Sequence, residues 1–528
     1  MKYLKYISLS AVLMLSGCSS FLKEYSQDTD YVNSWKDLNE TLIGQCYMPQ
    51  FSSSFLSSVS DNQYFIHFLG DELTESVDSY NGSASQYDGK EKVFGLFTWQ
   101  ARSGQNDTYT GFNAENANWT ECYKYINVAN NILYSLGEVP QKTDAEKLGA
   151  LKVDGEARFL RAYYYFWLVN LYGKPYVAST AKTDLGVAIK TSEKVEDKYF
   201  VRNTVQECYD LILSDLLQAE TDLAQYGAQP SVYRADVSAV RFLLSRVYLY
   251  MQNWTKASEY AQKVLDVHSD LVQLNNLKSG AAFLSPTSVE TIFSMGSNSL
   301  PCFTVHEFKG FKISDDIYNM YSNDDLRKTK FMWHNGTFQG YTKLEVKGTN
   351  LTVGSDDPSY YFNAYSNAWD FNRSDMSDKF AFRTAEAYLI KAEAEAYLVN
   401  EDMARALINK LRSYRYANGT NYTVTATGED LVKLIRDERE RELLLEGQRW
   451  FDLRRYGVCE KYPESKRIVH DYYYYESRYS TTKTGCHRFV LEPNDWGYTL
   501  PIPNDVLEFN NMKNNQRGNR TYTVVPLN

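Results

Sequence analysis

The sequence predicts a mostly α fold: a tetratricopeptide-like helical scaffold carrying a long, loop-rich, aromatic insertion region. Three observations predict it. Apolar residues recur at helical spacing in several long stretches. Two pairs of these stretches are joined by short polar turns, with alanine where helices pack closely. Between the helical stretches lie long segments without helical period, rich in Gly, Ser, Asn and aromatic residues.

The helical stretches come in this order. From Trp119 to Leu136, apolar residues repeat every three to four positions, and Gly137 and Pro140 end the run. Gly155 to Tyr172 is aromatic on several faces, which predicts a buried helix, and Gly173-Lys174-Pro175 closes it. Thr204 to Leu223 follows. Ala235–Met251 pairs with Lys256–Val267 across Gln252-Asn253-Trp254-Thr255, and Ala239, Ala257 and Ala261 mark close packing. Ala385–Val399 and Met403–Tyr414 repeat that design across Asn400-Glu401-Asp402. Leu431–Glu446 is a last helix, capped by Gly447. Each pair needs a neighbour to cover its apolar side, so the pairs are expected to pack together although they are far apart in sequence. The chain thus divides into an N-terminal helical region over 35–270, with a loop insertion at 71–118, and a C-terminal region over 271–528. The latter holds a loop-rich insertion at 275–372 and tetratricopeptide-like helices within 380–457. Short strand-like runs at Thr291–Met295 and Tyr341–Val346 and the aromatic stretch 471–500 also lack helical character.

Composition narrows the function. A net charge of −10 over 528 residues argues against nucleic acid, which needs clustered Lys and Arg. The chain holds 44 Tyr, 26 Phe and 9 Trp. Much of that must be core, yet Tyr and Trp also suit binding surfaces, where such rings present an apolar face with a polar tip. The seven Cys form no CxxC, and His306-Glu307 lacks the second His of a zinc helix, so neither metal nor cofactor is expected. A disulfide among the later Cys is left open.

The first residues set the compartment. Lys2 and Lys5 precede an apolar run from Ile7 to Leu15, too short to span a bilayer. Leu15-Ser16-Gly17-Cys18 then resembles the bacterial lipobox. That resemblance implies a signal peptide over 1–17, lipidation of Cys18 and a polar tether over 18–34. Ser19 and Ser20, without an adjacent Asp, resemble lipoproteins sent to the outer membrane. Multiple acyl chains would hold such a chain stably.

Five segments carry a wider resemblance: GEARFLRAYYYFWLVNLYG (155–173), AVRFLLSRVYLYMQNWTKASEYAQKVL (239–265), FRTAEAYLIKAEAEAYLVN (382–400), LIRDERERELLLEGQRWFDLRRYG (434–457) and PIPNDVLEFNNMKNNQ (501–516). In order and spacing they resemble the SusD/RagB-type outer-membrane nutrient-binding lipoproteins of Bacteroidetes. The resemblance implies a tetratricopeptide-like scaffold, a loop-rich part that binds oligosaccharide, and a SusC-like TonB-dependent transporter as partner. One departure is Gly-Lys-Pro at 173–175, where the family often has an acidic residue.

The residues themselves favour a binder over an enzyme. Glycoside hydrolysis needs two carboxyls across one bond. Asp315-Asp316 and Asp324-Asp325 are adjacent pairs ahead of helix-like runs, where acids suit the N-terminus. The alternating charges of 436–442 read as an ion-pair lattice. A sugar site needs rings and polar rim groups. The first insertion offers Tyr80, Trp99, Arg102, Asn106 and Tyr109; the second offers Phe303, His306, Trp333 and Trp369. Trp99 and Trp333 are the expected stacking anchors, with Arg102 and Asn106 as hydrogen-bonding groups. A peptide ligand, and a structural transporter lid without ligand affinity, are the alternatives.

Overall fold

The computed structural model describes residues 32–48, 63–78, 82, 84–107, 115–227, 229, 231–278, 283–296, 298–300, 304, 310–343 and 376–527. Cys18, Tyr80, Tyr109, Phe303, His306 and Trp369 lie outside the described residues, as does the whole 344–372 stretch.

Fourteen helices are described: α1 (Trp35–Thr41), α2 (Ala84–Phe97), α3 (Ala117–Ser135), α4 (Asp144–Tyr172), α5 (Val205–Tyr226), α6 (Val237–Tyr250), α7 (Trp254–Leu265), α8 (Asp315–Asn319), α9 (Arg327–Lys330), α10 (Thr384–Tyr397), α11 (Glu401–Ser413), α12 (Gly428–Glu442), α13 (Arg449–Gly457) and α14 (Asn504–Asn510). None is long and apolar enough to cross a membrane. Nine short strands accompany them among the described residues: β1 (Leu73–Glu75), β2 (Thr291–Ser294), β3 (Phe311–Ile313), β4 (Met332–Asn335), β5 (Phe338–Tyr341), β6 (Ala381–Arg383), β7 (Ile468–Tyr475), β8 (Lys483–Leu491) and β9 (Tyr522–Val524).

The scaffold is a continuous stack. α3 packs on α4, α4 on α5, α5 on α6 and α6 on α7. α7 then packs on α10, far away in sequence, and α10 on α11 and α12. The two helix pairs therefore cover each other, as their one-sided apolar patterns require. α4 begins earlier than its aromatic run: Thr143 and Glu146 form a capping box at its N-terminus. From 159 to 172 every residue is buried. Trp167 lies 4.5 Å from Phe380 and 5.1 Å from Phe451, so the all-round aromatic surface of α4 meets aromatic partners from the second half. α10 is buried along its whole length.

Three sequence expectations change. The first insertion contains a full helix, α2, in place of the expected loop. Gly95 argues against helix in the sequence, yet a Cβ there would lie 2.4 Å from the Ser103 carbonyl oxygen. That glycine answers a close approach by the 102–105 turn and does not end a helix. α12 stops at Glu442, ahead of the expected Glu446, because Leu445 and Gly447 take positive φ and the Leu445 N–H bonds the Glu72 carboxylate at 2.6 Å. The stretch after 467 is an ordered antiparallel sheet in the order β7-β8-β9. The five cysteines described are all buried.

Candidate functional site

The insertions are tied directly to each other. β1 of the first pairs antiparallel with β3 of the second, Leu73 opposite Ile313 and Glu75 opposite Phe311. Ser314 extends the join, donating from its hydroxyl to the Asp71 carbonyl at 2.7 Å and from its N–H to the Glu72 carbonyl at 2.9 Å. The Ser76 N–H adds another bond across the join, to the Gly310 carbonyl at 2.8 Å. The Thr337 hydroxyl, at the tip of the β4–β5 hairpin, donates to the exposed Asp78 carboxylate at 2.8 Å. Segments as far apart in sequence as Asp71 and Ser314, 243 residues, therefore share one face.

Buried charge fixes that face to the scaffold. Arg449 of α13 donates through Nε and Nη2 to the two oxygens of Asp71, at 2.8 Å each. Arg327 of α9 reaches Glu442 at 2.9 Å and Glu438 at 2.7 Å on α12. Arg383, at the end of β6, reaches Glu442 at 2.7 Å. β6 in turn pairs with β2, so the chain just after the second insertion is held against the insertion's early part. The 436–442 charges thus form an ion-pair lattice, more buried than the sequence implied and made mostly with other elements, and it anchors both insertions.

The candidate residues divide. Trp333 is half-buried on β4, opposite Gly340 of β5, with the Phe338 ring 5.2 Å away. A Cβ on Gly340 would meet the Trp333 indole nitrogen at 2.5 Å, so glycine there lets the ring lie across the hairpin. His334 beside it is exposed, 6.3 Å from the Tyr318 ring. Trp99 is different. It is 3 % exposed, stacks on His470 at 4.4 Å and donates its indole N–H to the Leu69 carbonyl at 2.9 Å. The space beside it is about 10 Å³, enough for one water molecule at most. Its ring therefore has no open face for a sugar, and its place among polar neighbours in the sequence reflects a positive φ turn at the end of α2 and no surface exposure. Arg102 grips Glu115 at 2.6 Å, with its side chain one-third exposed, and Glu115 also accepts from the Gly104 and Asn504 N–H groups. Asn106 is buried. Of the two expected stacking anchors, Trp333 is half-buried and Trp99 is buried; Trp99 and Arg102 hold the base of the first insertion in place.

The β7–β8 sheet adds residues that periodicity did not single out. The Lys90 ammonium sits 2.7 Å from Glu75 and 4.0 Å from the centre of the Tyr472 ring. The Tyr472 hydroxyl donates to Asp107 at 2.5 Å. Burial, reinforced by Glu91, pushes the Asp107 carboxyl up to about 6, against the pull of the Tyr472 hydrogen bond. The usable signal was the period-two burial of His470, Tyr472 and, after a bulge, Tyr475, masked by a run of four tyrosines.

Carboxylates are not arranged across an open bond at the pairs named above. Asp315 and Asp316 occupy the first turn of α8 behind the Ser314 cap, and Asp315 meets Lys312 at 2.9 Å. Asp325 is buried against Arg327 at 2.7 Å. Among the described residues no group of three or more His, Cys, Asp or Glu could hold a metal ion.

Comparison with known proteins agrees with this architecture. Residues 252–518 match the model of the SusD family, and residues 55–249 match a family described as "Starch-binding associating with outer membrane". The chain belongs to the SusD family. Among SusD-family relatives, the starch-binding protein SusD of Bacteroides thetaiotaomicron is 26 % identical over 396 residues, 62 % of this chain and 67 % of that protein. SusD-like protein P2 of Formosa agariphila is 26 % identical over 380 residues, 64 % of this chain and 70 % of that protein. A solved structure named as a "Putative sugar binding protein" from Bacteroides vulgatus superposes with a TM-score of 0.66 at 21 % identity, covering 92 % of this chain and 98 % of that one. A SusD superfamily structure from Bacteroides thetaiotaomicron gives 0.65 at 20 % identity, covering 92 % and 100 %. The two SusD-family matches meet between 249 and 252, inside the α6–α7 pair, so one helix pair serves both halves.

Proposed function

We propose that this chain is a glycan-binding lipoprotein of the outer membrane. It captures oligosaccharide on the face made by its two insertions and passes it to a SusC-like TonB-dependent transporter, without cleaving it. The observation that carries this reading is the β1–β3 join, which gathers both insertions on one charge-anchored face. Trp333 supplies a ring for the C–H face of a sugar, and the exposed polar side chains of Asp78 and His334 offer hydrogen-bonding groups for its hydroxyls. The names of its relatives, a starch-binding protein and a sugar-binding protein, support a carbohydrate ligand. The LSGC segment at 15–18 supports lipidation at Cys18 and, with the family description, residence at the outer membrane.

The test is calorimetry of the purified chain against a panel of polysaccharides and peptides, with product analysis of the same mixtures. Saturable binding of at least one glycan, with its length unchanged, is expected. Shortening of a glycan by the pure protein overturns the binder reading, and binding of peptides alone overturns the glycan.

A further inference from the structure

A cleft of about 580 Å³ lies where the end of α13 meets the Gly173-Lys174-Pro175 turn, the 494–499 turn and residues 515–516, with no insertion residue in its lining. That volume falls within the range of small-molecule sites. Its walls mix half-exposed rings, Trp496 and Tyr498, with polar side chains of Ser465, Asn494 and Gln516.

Arg454 lines this cleft and stands apart from its neighbours. The other arginines of α12 and α13, Arg436, Arg439, Arg441, Arg449 and Arg455, each meet a carboxylate within 2.8 Å. Arg454 is 4 % exposed and forms no ion pair with any described residue. Its Nη2 donates to the Gly173 carbonyl at 2.5 Å and, at 3.5 Å, to the Thr499 hydroxyl; its buried Nε has no acceptor among the described residues. The bond to Gly173 places a cation at the carboxyl end of α4, which favours that helix. It engages one corner of the guanidinium and leaves the rest without a counter-charge.

The surroundings do not supply one. Asp495 is the acidic residue of the lining, and both its oxygens meet Arg520 at 2.8 Å. Lys174 stands at the rim, its side chain 65 % exposed, paired with Asp184 at 2.8 Å. Arg517, beneath the same turn, donates to the Trp496 and Thr499 carbonyls and meets no carboxylate among the described residues either. Burial pushes Arg454 down to about 10 and Arg517 to about 9, the mark of cations lacking anionic partners. In a chain of net charge −10, this is a local excess of positive charge inside a concave, aromatic-walled space.

We propose that this cleft is a second ligand site, separate from the insertion face, which takes a carboxylate-bearing sugar residue. Arg454 receives the carboxylate, the Trp496 and Tyr498 rings form the apolar wall, and Asn494 and Gln516 meet hydroxyl groups. An incoming carboxylate would complete the donor set of a guanidinium already held in place, the arrangement in which arginine recognises carboxylates best.

The experiment is titration of the full chain with trigalacturonic acid, with its neutral counterpart galactotriose and with inorganic sulfate. Trigalacturonic acid is expected to bind at least about tenfold more tightly than either. Lys174→Glu, a rim change that leaves the fold alone, should weaken it about threefold. Val458→Trp should fill the cleft and abolish it, with the circular dichroism unchanged. Trp333→Ala should leave it as it is, which separates this site from the insertion face. Absence of trigalacturonate binding, equal binding of galactotriose or sulfate, or undiminished affinity in folded Val458→Trp overturns the proposal.

Discussion

Glu442 sits among three guanidinium groups, those of Arg327, Arg383 and Arg415, at 2.7 to 2.9 Å. Burial alone would push its carboxyl up; Arg415, Arg383 and Arg327 together hold it well below its usual 4.5. Glu438 is held down to about 2 in the same way, chiefly by Arg327 against burial. Such groups bind more protons unfolded than folded between those values. Their stabilisation is present above about pH 4.5 and is lost as the pH falls toward about 2, so the urea midpoint should drop steeply on that limb. Glu442→Gln leaves three arginines short of charge and should cost about 3–5 kcal/mol in urea denaturation at neutral pH. Glu72 has the opposite sign. Burial, aided by Asp71 and opposed by the Leu445 N–H, pushes it up to about 8. The folded chain keeps that proton where the unfolded chain has lost it, so stability declines as pH rises through this window. Glu72→Gln removes the decline, and its urea midpoint relative to wild type should climb between about pH 5 and pH 8. The sequence made the 436–442 charges legible as ion-pairing groups, but of the pairs three and four apart only Glu438–Arg441 forms among the described residues; the others reach partners on other elements. It hid Asp71, Glu72, Arg327 and Arg383, whose partners lie far along the chain, and it hid the burial of Trp99, which depends on His470.

Elements with their own period were legible: α3 to α7 and α10 to α12 lie where apolar spacing placed them, within a few residues at most ends. α4 starts well ahead of its aromatic run because its first turns rest on a capping box. Elements held by distant partners were not legible. β1 and β3 are three residues each and exist through one another. α2 was obscured by Gly95, a glycine needed for contact with the next turn. Glycine at the α12–α13 turn serves both purposes. Gly447 has φ +69°, and a Cβ there would lie 2.6 Å from the Lys379 Cβ; Gly419 has φ +85° with open space around it. Gly447→Ala should therefore cost about 2–3 kcal/mol and Gly419→Ala about 1 kcal/mol, the difference measuring the contact apart from the backbone strain. Equal losses in paired urea titrations would refute the contact.

At the scale of the whole molecule, the helical stack is a frame to which the two insertions are fixed. Asp71 and Arg327, one from each insertion, are both locked into the α12–α13 charge lattice, which fixes the proposed binding face in place. Preorganisation of this kind lowers the ordering cost of binding. The proposed lipid anchor belongs to the same scale: Cys18→Ala should move the chain from the membrane fraction to the soluble fraction, and retention on membranes after a high-salt, high-pH wash would refute lipidation there. Mild-detergent extraction should likewise recover the chain with a barrel-sized membrane protein in stoichiometric amount, and repeated recovery alone would count against the transporter partner.

The central claim is that the joined insertions form the glycan-binding face, with Trp333 as its accessible ring. The most direct measurement is calorimetric affinity of Trp333→Ala against wild type, using the tightest glycan from the panel. Loss of a central aromatic anchor commonly removes about 2 kcal/mol or more, so affinity should fall at least about tenfold while the urea midpoint stays near that of wild type. Unchanged affinity in a folded Trp333→Ala chain would contradict the claim.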